Sequence, residues 1–81
     1  MILYLVEYED ADVGSTYVEV IGVYSTPALA IQGAKLNQGD NHFPRRYLSD
    51  YCIIEAELDN WTPVRRVFTW GEFMRINHLT S

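Results

Sequence analysis

The chain has 81 residues, of which 48% are hydrophobic and 14% aromatic, and its formal net charge is −5. This length supports one small core, so we expect a single domain over residues 1–81, with its core over 1–60 and a C-terminal extension over 61–81. The single cysteine excludes an intramolecular disulfide and a Cys-rich zinc site. The excess of eleven acidic residues over six basic ones argues against general nucleic-acid binding.

A β-hairpin is predicted at the start of the chain. The run ILYLVEYE alternates aromatic and β-branched residues with others, as strands do, and TYVEVIGVYS repeats the pattern. The intervening EDADVGS supplies the Asp and Gly residues that favour a tight turn. Strict alternation through both strands places Glu7, Glu9 and Glu19 on the solvent face of the hairpin.

A helix is predicted next. Thr26 and the preceding serine offer a hydroxyl cap, and proline at the following position is typical of the first turn of a helix. The helix is expected to run to about Gln38, with Gly39 as its stop. Leu29 and Leu36 fall on its outer side. The residues predicted to lie on the sheet are small: Pro27, Ala30, Ile31 and Ala34.

The second half of the chain predicts one clear strand and a less regular tail. GDNHFPRRYLSD has neither helical nor strand periodicity of its apolar residues and is predicted to be a loop. YCIIEAELD is predicted to be a third strand, with Cys52, Ile54, Ala56 and Leu58 facing inward. A short strand over 64–69 and a helical turn or two from Gly71 follow. The predicted fold is α+β, in ββαβ(β) order, with an antiparallel sheet of three to four strands (order 2-1-3) and one main helix on one face.

The predicted sheet carries an acidic plate, which we define as Glu7, Glu9, Glu19, Glu55 and Glu57 on its solvent face. The first 34 residues contain five acids and no Lys or Arg, so this half of the chain favours a basic partner. A solvated face that prevents edge-to-edge aggregation is the alternative interpretation. The candidate partner-binding residues are Glu7, Glu9, Asp10, Asp12, Tyr17, Glu19, Glu55 and Glu57.

Metal binding and catalysis are poorly supported by the sequence. Asp10, Asp12 and Gly14 have the spacing that begins a calcium loop, but the twelfth loop position is Ile21 rather than Glu. His42 and His78 lie in a loop and a tail, and no nucleophile, P-loop or zinc-protease motif accompanies them. We therefore expect no metal, no cofactor, no catalytic residue and no enzymatic activity.

Two arginine pairs offer a second kind of site. Arg45, Arg46, Arg65 and Arg66 have aromatic neighbours, and basic residues interleaved with aromatic ones can bind phosphates or nucleotides. These four residues are candidate anion-binding residues, for a small anionic nucleotide or metabolite held by an oligomer. The alternative is that they pair with the protein's own carboxylates.

The chain also has more large apolar residues than one helix and one small sheet can obviously bury. Either the tail folds over the outer side of the helix, or these residues form a homodimer or partner interface. Trp and Met are enriched at interfaces, which favours self-association. The candidate self-association residues are Leu29, Leu36, Trp61, Phe68, Trp70 and Phe73.

Three segments carry a family resemblance: YLVEYED (4–10), IGVYST (21–26) and IEAELD (54–59), followed by Trp61. They resemble a family of small bacterial and phage accessory domains with a YLLE hairpin, IGVYSS, a helix and an E-x-x-LD pattern. The resemblance covers about residues 3–61 and implies an α+β fold.

In size and charge the chain is similar to phage-encoded inhibitors that occupy the surface of a host protein. The predicted function is therefore a non-enzymatic protein-binding module, such as a phage-encoded anti-defence (anti-CRISPR-like) inhibitor. It would bind a host protein, for example a nucleic-acid-binding one, through the acidic plate. No apolar run is long enough for a membrane span and the chain start lacks a signal-peptide pattern, so we expect a cytoplasmic protein, in the host cytoplasm if phage-encoded.

Overall fold

The computed structural model of the chain describes residues 1–10, 17–40, 45–59 and 64–77. Its elements are β1 (Ile2–Asp10), β2 (Tyr17–Tyr24), α1 (Pro27–Asp40), a 3-10 helix (Leu48–Asp50), β3 (Tyr51–Glu57), β4 (Val64–Thr69) and α2 (Trp70–Ile76). The strands form one antiparallel sheet in the order β2-β1-β3-β4. The predicted α+β class and antiparallel sheet are confirmed, and the helical turns predicted from Gly71 form a second helix, α2, beside the one main helix that was predicted.

Helix α1 begins as the sequence predicts. The Thr26 hydroxyl accepts a hydrogen bond from the Leu29 amide (3.2 Å), and the Thr26 carbonyl accepts from the Ala30 amide (3.1 Å). The first bond satisfies an amide that the first turn leaves without an intrahelical acceptor, and the second is the first backbone hydrogen bond of the helix. Ala30, Ile31 and Ala34 are buried, as the predicted stripe requires. The helix continues through Gly39 to Asp40 rather than ending before the glycine.

Helix α2 completes the core instead of extending from it. A capping box starts it, because the Thr69 hydroxyl accepts from the Glu72 amide and the Glu72 carboxylate accepts from the Thr69 amide. Phe68, Trp70 and Phe73 are only 5%, 7% and 1% exposed. The predicted division into a core over 1–60 and an extension over 61–81 is thus at odds with the packing, and these three residues are core residues rather than self-association residues.

Both helices cover the same face of the sheet, which we call the inner face. Tyr4 of β1 and Phe68 of β4 each contact the Phe73 ring of α2 edge to face, at centroid distances of 5.8 and 5.4 Å. Ala30 and Ile31 of α1 belong to the same buried cluster. No described helix covers the opposite, outer face. Among the described residues, no helix is long and apolar enough to cross a membrane.

The predicted faces of β3 are reversed. Tyr51 and Ile53 are buried and pair with Tyr8 and Val6 of β1, whereas Cys52 is only half-buried and pairs with Glu7. Residues directly opposite each other in an antiparallel pair share a face. Alternation therefore puts Cys52, Ile54 and Ala56 on the outer face and the two glutamates of β3 on the inner face.

A β-bulge changes the faces of β2. The register places Val6 opposite Gly22 but Glu7 opposite Val20, so Ile21 is the extra residue. One inserted residue shifts the alternation of the whole segment beyond it. Glu19 consequently lies opposite the buried Tyr8, on the inner face.

Candidate functional site

The acidic plate does not exist as one surface. Glu7 and Glu9 lie on the outer face of the sheet, while Glu19, Glu55 and Glu57 lie on the inner face, because of the β2 bulge and the reversed faces of β3. Glu55 is directly opposite Arg66 of β4, so an opposite charge lies beside it. The prediction that five carboxylates share one face is wrong.

Carboxylates instead gather at one end of the sheet, where β1 and β4 end and β2 and β3 begin. We call Glu7, Glu9, Asp10 and Asp50 the acidic end. Asp10 is the last residue of β1, and Asp50 immediately precedes β3, the antiparallel neighbour of β1. Strand pairing thus brings together residues that are 40 positions apart in the sequence.

The charge of the acidic end is visible in the pKa values of its neighbours. Burial raises the pKa of the Tyr8 phenol, and the carboxylates of Asp10 and Asp50 raise it further, against the opposing effect of Arg46. Burial likewise raises the pKa of the Cys52 thiol to about 11, with contributions from Glu9 and Glu7. Both groups are acids whose charged forms are disfavoured by nearby negative charge.

A shallow depression opens at this end, with a volume of about 260 Å³. The described residues that line it include two carboxylates and no Lys or Arg. They come from the end of β1, the 3-10 helix, the start of β3 and the last residue of β4. The lining residues are Glu9, Ser49, Asp50, Tyr51, Cys52 and Thr69.

Arg46 is held in a part-buried polar network on the inner side of the acidic end. Its Nη1 lies 2.6 Å from Oε2 of Glu19 and donates to Oδ1 of Asn37 at 2.9 Å. The Tyr51 hydroxyl donates to the same Asn37 oxygen (2.6 Å), and the guanidinium lies 4.2 Å from the centroid of the Tyr8 ring. These five side chains form what we call the Arg46 network.

The Arg46 network favours the charged form of its arginine. Burial alone would lower the Arg46 pKa, but the adjacent Glu19 carboxylate outweighs burial and the net pKa is raised. The side chain of Arg46 is only 12% exposed, against 38% for Glu19. The predicted alternative, in which arginines pair with the protein's own acids, therefore describes Arg46.

The candidate anion-binding arginines are not brought into one site. Arg46 lies beside Tyr51 at the start of β3, whereas Arg66 is opposite Glu55, four residues along that strand and hence about 13 Å away. The guanidinium of Arg66 lies 4.7 Å from the Phe68 ring centroid, and that of Arg45 lies 5.7 Å from the Tyr47 ring centroid. The side chain of Arg65 is outside the described part of the structure.

Several sequence-derived candidates lie outside the described residues: Asp12 and Gly14 of the turn, His42, Trp61 and His78. Tyr17 is exposed and lies opposite Asp10, on the inner face. Leu29 and Leu36 are exposed on α1, as predicted for its outer side.

Glu7, Glu9 and Cys52 each place one ligand atom within 4.8 Å of the others, although the sequence predicted no metal site. The Cys52 sulfur lies 4.0 Å from a Glu7 carboxylate oxygen. Carboxylate and thiolate atoms are metal ligands, but metal binding requires the thiol to lose its proton. The raised pKa keeps the Cys52 thiol protonated at neutral pH.

Cys52 is therefore expected to react slowly with iodoacetamide. Raising its pKa from 9.0 to about 11 lowers the thiolate fraction at neutral pH by about a hundredfold. The alkylation rate, followed by mass spectrometry, should rise with pH until the pH approaches that pKa. Glu9→Gln should increase the rate at neutral pH, since Glu9 is the larger of the two carboxylate contributions. A native rate equal to that of the urea-unfolded chain at neutral pH would contradict this assignment.

Sequence reasoning missed Ser49 and Asp50, which line the depression. The predicted strand order could have identified them, because the order 2-1-3 places the start of β3 beside the end of β1. Comparison of the chain with protein-family models, with curated proteins and with solved structures found no match.

Proposed function

We propose that this chain is a non-enzymatic protein-binding module that binds a basic protein segment at its acidic end. The observation that carries the proposal is the depression flanked by Glu9 and Asp50, set in the ends of paired strands. Glu9 stands near the end of β1 and Asp50 in the 3-10 helix that leads into the paired strand β3, so both carboxylates are attached to ordered backbone beside the depression, which suits recognition of a cation.

One Lys or Arg side chain is the occupant that fits the depression. Its volume of about 260 Å³ is below the range of about 300–1,000 Å³ that is usual for small-molecule sites. Carboxylates accept charge-assisted hydrogen bonds from a guanidinium or ammonium group. The hydroxyl of Ser49 adds an acceptor to the lining, whereas the Thr69 hydroxyl already accepts from the Glu72 amide.

A narrower form of the proposal is that the partner is a host protein whose basic site is covered by this domain. Its support is the small size of the chain, its net charge of −5 and the four carboxylates of the acidic end. A nucleic-acid-binding host protein has such a basic site, because it must neutralise phosphates, and a phage-encoded inhibitor that covered the site would block nucleic-acid binding. The same charge distribution disfavours direct nucleic-acid binding by this chain.

The alternative proposal, sequestration of a small anionic nucleotide, has less support. It requires several arginines around one ligand, and Arg46 is engaged by Glu19 and lies about 13 Å along β3 from Arg66. An anion at Arg46 would have to displace a carboxylate from a largely buried position.

The test compares two double variants with the same change in charge. Glu9→Gln with Asp50→Asn should weaken binding of a fluorescent arginine-rich peptide at least about tenfold, equivalent to about 1.4 kcal/mol, and should flatten its salt dependence. Glu55→Gln with Glu57→Gln alters the opposite end of β3 and should change the affinity less than about twofold. Fluorescence anisotropy at several salt concentrations measures both.

Equal losses in the two double variants would show that only the net charge attracts the peptide, and would overturn a site at the acidic end. Circular dichroism of all variants checks that the fold is retained. Glu9 and Asp50 are exposed, so their replacement is expected to change the free energy of unfolding by less than about 0.5 kcal/mol.

A further inference from the structure

The outer face of the sheet carries an apolar row that crosses all four strands. The registers place Val23 opposite Leu5, Leu5 opposite Ile54, and Ile54 opposite Val67. Residues opposite one another share a face, so these side chains form one continuous line from edge to edge. We call Val23, Leu5, Ile54 and Val67 the apolar row.

Further apolar residues flank this row on the same face. Leu3 and Ala56 form the next pair away from the acidic end, and Val18 and Val20 lie along β2. Val67, Val20 and Val23 are 61%, 56% and 55% exposed. A contiguous apolar patch of this kind, as distinct from scattered apolar residues, marks an interaction surface.

The edges of the sheet are less suited than its face to pairing with another chain. Both edge strands contain an irregularity, at Ile21 in β2 and between Arg66 and Val64 in β4. Bulges interrupt the hydrogen-bonding pattern of an edge and twist it away from a potential partner strand. The face is therefore the remaining route for association of the sheet.

The chemistry of the outer face resembles a protein core more than a recognition surface. Among the described residues it has no aromatic, Lys or Arg side chain, although Tyr, Trp and Arg dominate the binding energy of most hetero-complexes. Its Val, Leu and Ile residues are those that interdigitate between the packed sheets of a β-sandwich. Interfaces of this composition are typical of homodimers.

We propose that a second copy of this chain packs on the outer face, sheet against sheet. We place the two-fold axis along the apolar row. Each residue of a row that lies along the axis then contacts the same residue of the other copy, as in an isologous interface. Rotation about that axis reverses the strand direction of the second copy. The acidic ends then lie at opposite ends of the dimer, so that Glu7 and Glu9 of the two copies are kept apart.

The size of the face limits the strength of the dimer. Four strands about 4.8 Å apart and about seven residues long give a flat outline of roughly 19 by 23 Å, or about 440 Å². Even with the relief of side chains, this is at the small end for an interface, for which about 800 Å² per partner is standard. We therefore expect a concentration-dependent dimer with a Kd on the order of micromolar or weaker.

Sedimentation equilibrium of the full chain over a range of concentrations tests this arrangement. Val23→Lys with Val67→Lys brings four cations to the two-fold axis and should raise the dimer Kd at least about tenfold. Leu36→Lys is the matched control, since Leu36 is 62% exposed on α1, in the other layer of the molecule. It should leave the Kd unchanged within about twofold.

Val23→Thr with Val67→Thr provides a milder variant that keeps β-branched shape and strand propensity. It should weaken the dimer by a smaller factor while circular dichroism stays that of the wild type. A wild-type chain that remains monomeric at millimolar concentration would overturn the proposal, as would a dimer weakened as much by Leu36→Lys as by the lysine pair. Added salt should leave this dimer intact while it weakens peptide binding at the acidic end, so the two proposals fail separately.

Discussion

Replacement of Arg46 by alanine is expected to lower the free energy of unfolding by about 2–4 kcal/mol, the largest loss from any single charged side chain described above. Arg46 is 12% exposed and contacts Glu19, Asn37 and the Tyr8 ring. Its removal leaves Glu19 without its cation and frees one acceptor position on Asn37. A polar group left buried without its partner costs more than the interaction itself contributes.

The expected loss is set below the value for a fully buried ion pair because Glu19 is 38% exposed, and water can solvate its carboxylate after the substitution. Packing also contributes, since the guanidinium lies over the Tyr8 ring at 4.2 Å. The segment that carries Arg46 is further attached to α1 by a hydrogen bond from Gln38 to the Arg46 carbonyl (3.3 Å), which alanine retains.

Arg45→Ala is the matched control, because the neighbouring arginine is exposed and lies 5.7 Å from the Tyr47 ring centroid. Its substitution should change the free energy of unfolding by less than about 0.5 kcal/mol in urea denaturation. A double-mutant cycle of Arg46→Ala with Glu19→Gln should show a coupling energy of about 1 kcal/mol or more. Equal effects of the two arginine substitutions would mean that the Arg46 network does not stabilise the fold.

The elements of this fold were predictable from local patterns. Thr26 and Pro27 predict the start of α1, and Ala30, Ile31 and Ala34 predict its buried stripe, because helix caps and apolar periodicity act over only a few residues. The three-strand order 2-1-3 followed from connection rules and is retained within the observed order of four strands.

The faces of the strands were less predictable, and the candidate site changed with them. Both alternating sets of β3 are apolar at its start, so the sequence does not distinguish Tyr51 and Ile53 from Cys52 and Ile54. Packing decides, because Tyr51 contacts the Tyr8 ring (5.2 Å between centroids) and donates to Asn37. These contacts join residues that are far apart in the sequence, so local alternation carries no signal for them.

The bulge in β2 had a similar effect on Glu19. A strict period of two places it beside Glu7 and Glu9, whereas one extra residue at position 21 turns it to Arg46. Glu7, Glu9 and Asp10, which the sequence made candidate residues, lie together at the acidic end. Their partner in that site, Asp50, depends on strand pairing and not on any local pattern.

Gly33→Ala is expected to destabilise the fold by about 1–2 kcal/mol, although alanine in a helix interior ordinarily stabilises by about 1 kcal/mol relative to glycine. Gly33 lies on α1 against the end of the Tyr24 side chain, and a Cβ at this position would overlap the Tyr24 hydroxyl and the ring carbon that bears it. The Tyr24 ring also covers Gly22 of β2, where an added Cβ would lie 2.7 Å from the same hydroxyl. The ring is thus held between two residues that lack side chains.

Gly39→Ala is the internal control in the same helix, since no atom lies within 4 Å of the position that its Cβ would occupy. It should stabilise the fold by about 0.3–1 kcal/mol, through helix propensity and the reduced freedom of the unfolded chain. Urea denaturation of the two variants should therefore give shifts of opposite sign from the same chemical change.

The contribution of Tyr24 can be isolated by repeating Gly33→Ala in a Tyr24→Phe background. The hydroxyl is the atom nearest to the added methyl group, so its removal should recover a measurable part of the lost stability. A stabilising Gly33→Ala substitution would mean that the Tyr24 ring can move away from α1 without loss of packing. It would contradict the claim that glycine is needed at this position for close contact between α1 and β2. A loss that persists undiminished without the hydroxyl would assign the overlap to the ring itself, which cannot withdraw because the backbone of Gly22 lies behind it.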